Sequence, residues 1–64
     1  MLNVKKIEEL RRGRGYSRDY IADYLQYGST AAYSMKVIGK RAFNVSDLIK
    51  LSELFNVKME ELIK

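Results

Sequence analysis

The stretch from Ser17 to Arg41, SRDYIADYLQYGSTAAYSMKVIGKR, leaves the chain little choice but two short helices meeting at a tight turn. Ser17 is the kind of small polar residue whose oxygen accepts from a free amide at a helix start. Tyr16 before it and Ile21 after it have the spacing of a hydrophobic staple. Tyr20, however, stands where the acid of a reciprocal capping box would be. Ile21, Ala22 and Leu25 then share an inward face. Gly28 is free to take a positive φ, and Ser29 or Thr30 can cap the next helix. The spacing predicts one helix over about Ser17–Leu25 and a second over about Thr30–Ile38, closed by Gly39. In the second, Tyr33 and Val37 point inward, with Met35 or Ile38 partly so.

That second helix is unusual in what it leaves outside. Its first turns carry Thr30, Ala31 and Ser34 where a surface helix ordinarily carries long charged residues. Small side chains let a backbone sit deep in a groove, and hydroxyls bond to base edges or phosphates. Two helices at a steep angle across a short Gly-containing turn make the helix-turn-helix unit, whose second helix enters the DNA major groove. Tyr16, Tyr20, Tyr24 and Tyr27 sit on or beside the first of the two helices, where packing explains them more simply than stacking on single-stranded bases.

The flanking segments read as the scaffold. Val4, Ile7 and Leu10 recur every third residue, with Lys5, Lys6, Glu8 and Glu9 between them, the stripe of an amphipathic helix over roughly Asn3–Arg12. Gly13 and Gly15 end it. Arg11, Arg12 and Arg14 crowd that end, where cations either complement the helix dipole or meet phosphate. Phe43–Asn44–Val45–Ser46–Asp47–Leu48 is a full start signal: Asn44 as N-cap, Asp47 as the acid of a capping box, Phe43 and Leu48 as the staple. The fourth helix runs to about Phe55, with Val45, Leu48, Leu51 or Ser52, and Phe55 inward. Asn56 suits the left-handed cap, with Val57 behind it. A fifth short helix, Met59–Ile63, buries Met59 and Leu62, behind the poor cap Lys58.

Length and charge limit the function. The 64 residues allow one domain, taken as residues 1–64. With no Cys and no His, disulfides and the commonest zinc constellations are excluded. No apolar run approaches the roughly 20 residues that span a bilayer. The expectation is a cytoplasmic protein with no membrane partner, cofactor, metal or small-molecule substrate. Net charge is +4, and it is uneven: residues 1–18 hold six cations and two anions, and residues 36–41 hold three cations and no anion. Such clustering is a footprint for a polyanion. An enzyme is not expected, because Glu8–Glu9 and Glu60–Glu61 are adjacent pairs that point about 100° apart on a helix and form no carboxylate dyad.

The order of elements, together with YSMKVIGKRAFNVSDLIKLSELFNVKMEELI, resembles the lambda-repressor/Cro-like (Xre) helix-turn-helix family, in the branch found in bacteriophages and mobile elements of Gram-positive bacteria. The similarity covers about Val4 to Ile63. It includes Leu10, Gly15 and Ser17 at the start, the YSMKxxGKRxF stretch, and FNV followed by MEEL. The resemblance implies an all-α, compact five-helix domain with its helix-turn-helix at helices 2 and 3. It implies a double-stranded DNA-binding transcriptional regulator, a phage-type repressor or Cro-like protein. Ser29, Thr30, Ala31 and Ser34 would meet base edges; Ser17, Arg18, Lys36, Lys40 and Arg41 would meet phosphates. The chain departs from the family at Gln26, where relatives usually have glycine, and Gly28 then supplies the flexible position. A homodimer on a palindromic operator would use Met59 and Ile63. The alternative is a protein-interaction module, an antitoxin or anti-repressor, on the same fold.

Overall fold

The computed structural model describes residues 2–64. Its elements are α1 (Val4–Gly13), α2 (Arg18–Tyr24), α3 (Thr30–Val37), α4 (Val45–Phe55) and a 3₁₀ turn, Met59–Leu62. Each α-helix starts on a side-chain cap. Asn3 accepts from the Lys6 amide at 3.1 Å, Ser17 from Tyr20 at 3.0 Å, Ser29 from Ala32 at 3.3 Å, and Asn44 from Asp47 at 2.8 Å. Of these helices α4 has the full capping box, its Asp47 carboxylate accepting in return from the Asn44 amide at 3.1 Å.

All four α-helices also end alike, on a left-handed residue followed by an amide that reaches back to the last turn. These residues are Gly15, Gln26, Gly39 and Asn56, with the returning bonds Tyr16→Arg11, Tyr27→Ala22, Lys40→Met35 and Val57→Ser52 at 2.9 to 3.1 Å. The sequence points to Gly28 alone for the flexible position of the α2–α3 turn. Gly28 is left-handed (φ +85°), but Gln26 is as well (φ +61°). The helix-closing bond needs that conformation whatever side chain occupies the site. Gln26→Gly is therefore expected to stabilise the domain by about 0.5–1 kcal/mol, the left-handed cost of an L-residue less glycine's extra chain entropy. Urea unfolding of the two proteins measures it, and a destabilised variant would refute the account.

The core is Ile7, Ile21, Ala22, Leu25, Tyr33, Phe43, Leu48, Leu51, Phe55 and Leu62. Two expectations change, at Val45 and at the fifth helix, and one alternative is resolved. Val45 is outside, 66 % exposed, along with Ile49. Buried Asp47, Leu48, Leu51 and Phe55 define the inward face of α4, and at 100° per residue Val45 falls about 100° round from its centre. Of Met35 and Ile38, Met35 is partly buried and Ile38 is out. The expected fifth helix is only a 3₁₀ turn. Lys58 gives it no side-chain cap, and Ile63 is drawn into extended backbone by an antiparallel bridge to Leu2, beside an Asn3 amide bonded to the Leu62 carbonyl at 2.9 Å. A four-residue segment held at its far end in extended conformation has no room for the α-helical i→i−4 bond. The architecture of the described residues is thus four α-helices and a closing turn.

Candidate nucleic-acid interface

α3 is held to the body through one face. Tyr33 is wholly buried, its ring edge-on to Phe43 at 6.1 Å, and its hydroxyl donates to Glu8 Oε2 at 2.7 Å. Val37 packs partly against the core. The opposite face holds the residues expected to meet bases. Ser29 and Ala31 are exposed, while Thr30 and Ser34 are half-buried. Ser17 and Ser29, at the starts of α2 and α3, each accept one amide proton and retain a hydroxyl proton to donate. An open groove between the two helices is lined by Ser17, Asp19, Asp23, Ser29 and Thr30 among others, so the surface beside α3 is acidic on one rim.

The five residues expected at phosphates do not stand together. Lys40 and Arg41 are exposed in the loop after α3 and join no ion pair among the described residues. Ser17 is exposed. Arg18 is about half-exposed, its guanidinium 3.3 Å from both Glu8 Oε1 and Ser34 Oγ. Lys36 is a correction. Its ammonium is turned inward to Asp47 Oδ2 at 2.7 Å, with 13 % of the side chain exposed, and lies 4.3 Å over the Tyr27 ring. Releasing it to a phosphate would strand the buried Asp47 carboxylate, so Lys36 leaves the contact set.

Two buried acids organise the side chains behind this surface. Glu8, 5 % exposed, receives Arg11 in a fork at 2.9 and 3.1 Å, Tyr33, and Arg18, with Arg12 at 3.7 Å. Burial alone would raise its pKa, but hydrogen bonds from Arg11 and Tyr33, with the charges of Arg11 and Arg18, lower it to about 2. The Tyr33 hydroxyl is pushed up, first by burial and then by donating to Glu8. Asp47 is likewise held down despite burial, by Lys36 and by the Asn44 amide. The Tyr27 hydroxyl is buried toward that carboxylate without closing a hydrogen bond to it, and its pKa is raised by the burial first.

Sequence reasoning missed Glu8, which it read as one of the polar residues between the apolar positions of the first helix. A signal was present: Arg11 and Arg12 follow at the i+3 and i+4 spacings that let a helical carboxylate be paired. Arg11 and Arg14, left open between dipole and phosphate, serve the fold. Arg11 also donates to the Tyr16 carbonyl at 2.8 Å, and Arg14 donates to the Phe55 carbonyl at 2.7 Å over the Phe55 ring. Of the two residues expected at a dimer contact, Met59 packs against the core and Ile63 is 42 % exposed.

Among the described residues no helix is long and apolar enough to cross a membrane. A helix-turn-helix family model matches residues 7–62. No curated protein and no solved structure matches the chain.

Proposed function

The chain belongs to the helix-turn-helix family of DNA-binding regulators, and from that premise we propose that it is a sequence-specific transcriptional repressor or Cro-like regulator. The N-terminal half of α3 enters the major groove, with Ser29, Thr30, Ala31 and Ser34 against base edges. Ser17, Lys40 and Arg41 bond to the flanking phosphates. The observation that supports this reading most is the asymmetry of α3. Tyr33 anchors one side, while the other is small, polar and accessible, and is followed by two exposed cations. A domain this small covers few base pairs. Two copies on a two-fold site would place their recognition helices about 34 Å apart, with Ile63 the exposed residue carried forward as a dimer contact.

Selection of duplexes from a random library tests this directly. A palindromic motif is expected, and log affinity for it should fall linearly with log salt concentration, as counterion release requires. If no duplex is retained at low salt while a protein partner binds independently of salt, the interaction-module reading replaces this one.

A further inference from the structure

The exposed face of α3 lacks any side chain able to make two directed bonds to one base. Thr30, Ala31 and Ser34 are too short, and α3 carries no Arg, Asn or Gln. A guanidinium nevertheless lies against this face. Arg18, the first residue of α2, donates from one terminal nitrogen to Ser34 Oγ on α3 and from the other to Glu8 Oε1 on α1, both at 3.3 Å. We propose that Arg18 reads a guanine in the bound duplex, with Glu8 and Ser34 as its positioning residues. This rests on the DNA-binding reading above.

Three features favour base reading over a phosphate contact. The guanidinium is drawn across onto α3, the helix placed in the major groove. Glu8 and Ser34 each hold one terminal nitrogen, which orients the plane of the guanidinium. A guanidinium has five N–H groups, of which two are engaged here, so enough remain for the paired contact to guanine O6 and N7. The side chain, 42 % exposed, is also free to adjust. Glu8 keeps the Arg11 fork and the Tyr33 hydroxyl if Arg18 shifts outward, so no buried charge is stranded.

The experiment is library selection with the wild type, Arg18→Gln, Arg18→Lys and Ser34→Ala, each first shown to unfold cooperatively. The wild-type motif should contain a guanine that Arg18→Gln exchanges for adenine, because a carboxamide pairs with adenine N6 and N7. Arg18→Lys should weaken the preference at that position alone, and Ser34→Ala should weaken it there as well as at the base that Ser34 itself meets. Substituting 7-deazaguanine there should cost the wild type about 5- to 100-fold in affinity and Arg18→Gln almost nothing. A motif unchanged in Arg18→Gln, with all duplexes bound uniformly more weakly, would make Arg18 a phosphate contact and overturn the inference alone. A wild type that retains no duplex would overturn the DNA-binding reading and this inference with it.

Discussion

Glu8→Ala is expected to leave the domain largely unfolded at room temperature. The substitution removes the acceptor for a guanidinium that is only 12 % exposed, for a fully buried tyrosine hydroxyl, and for Arg18. Breaking a buried ion pair from one side costs about 3–5 kcal/mol, because the remaining charge is stranded. A chain of 64 residues has in total only about 3–10 kcal/mol. Glu8→Gln keeps the shape and an acceptor for Tyr33 but not the charge, and should be intermediate. The same pair of proteins isolates the acid response. The Glu8 carboxyl is lowered from 4.5 to about 2, so its contribution is complete above pH 4.5 and disappears as pH falls toward 2. By linkage that loss is on the order of 3 kcal/mol. Urea midpoints measured at steps between pH 6 and pH 2 should converge for wild type and Glu8→Gln at the acid end. A constant difference across that window would mean that Glu8 is not charged and paired as described.

Charge reversal of Lys40 and Arg41 together should lower affinity for every duplex by about 100-fold or more at 0.1 M salt. Each phosphate neutralised by a cation carries about 0.9 log units of affinity per decade of salt. Removing two such anchors therefore costs about 60-fold over the decade from 1 M to 0.1 M, and the added repulsion increases it. The salt slope should flatten by about 2, while the selected motif stays the same. Because both side chains are exposed and join no ion pair among the described residues, the unfolding curve should scarcely move. Lys36→Ala makes the opposite pattern: stability falls, since Asp47 loses its partner, and any binding defect follows from that. Equal binding by the wild type and the Lys40→Glu/Arg41→Glu protein would take this loop off the DNA.

Most helix starts and stops are legible in the amino-acid order, the closure at Gln26 and the Met59–Leu62 turn excepted, because capping is a local event. Ser17, Ser29 and Asn44 cap over three residues, and Gly15, Gly39 and Asn56 close over five, so each signal is complete within a short window. The inward positions Ile7, Ile21, Leu48 and Phe55 followed from the helical repeat. So did the small-sided character of α3 and the cations beyond it, which is why a DNA-facing surface could be drawn before any coordinates. What the charged and long side chains do was not legible in the amino-acid order and depends on how the helices pack. Lys36 and Arg41 are both cations in the same stretch, yet one is buried on Asp47 and the other is exposed. Glu8 and Glu9 are neighbours, yet one joins α1, α2 and α3 through Arg18 and Tyr33 while the other faces water. These partners lie 10 to 25 residues apart along the chain. A long side chain reaches across a helix interface by several ångströms in any of several rotamers, so its partner depends on how the helices pack. Helix packing is collective, and no short window of sequence contains it.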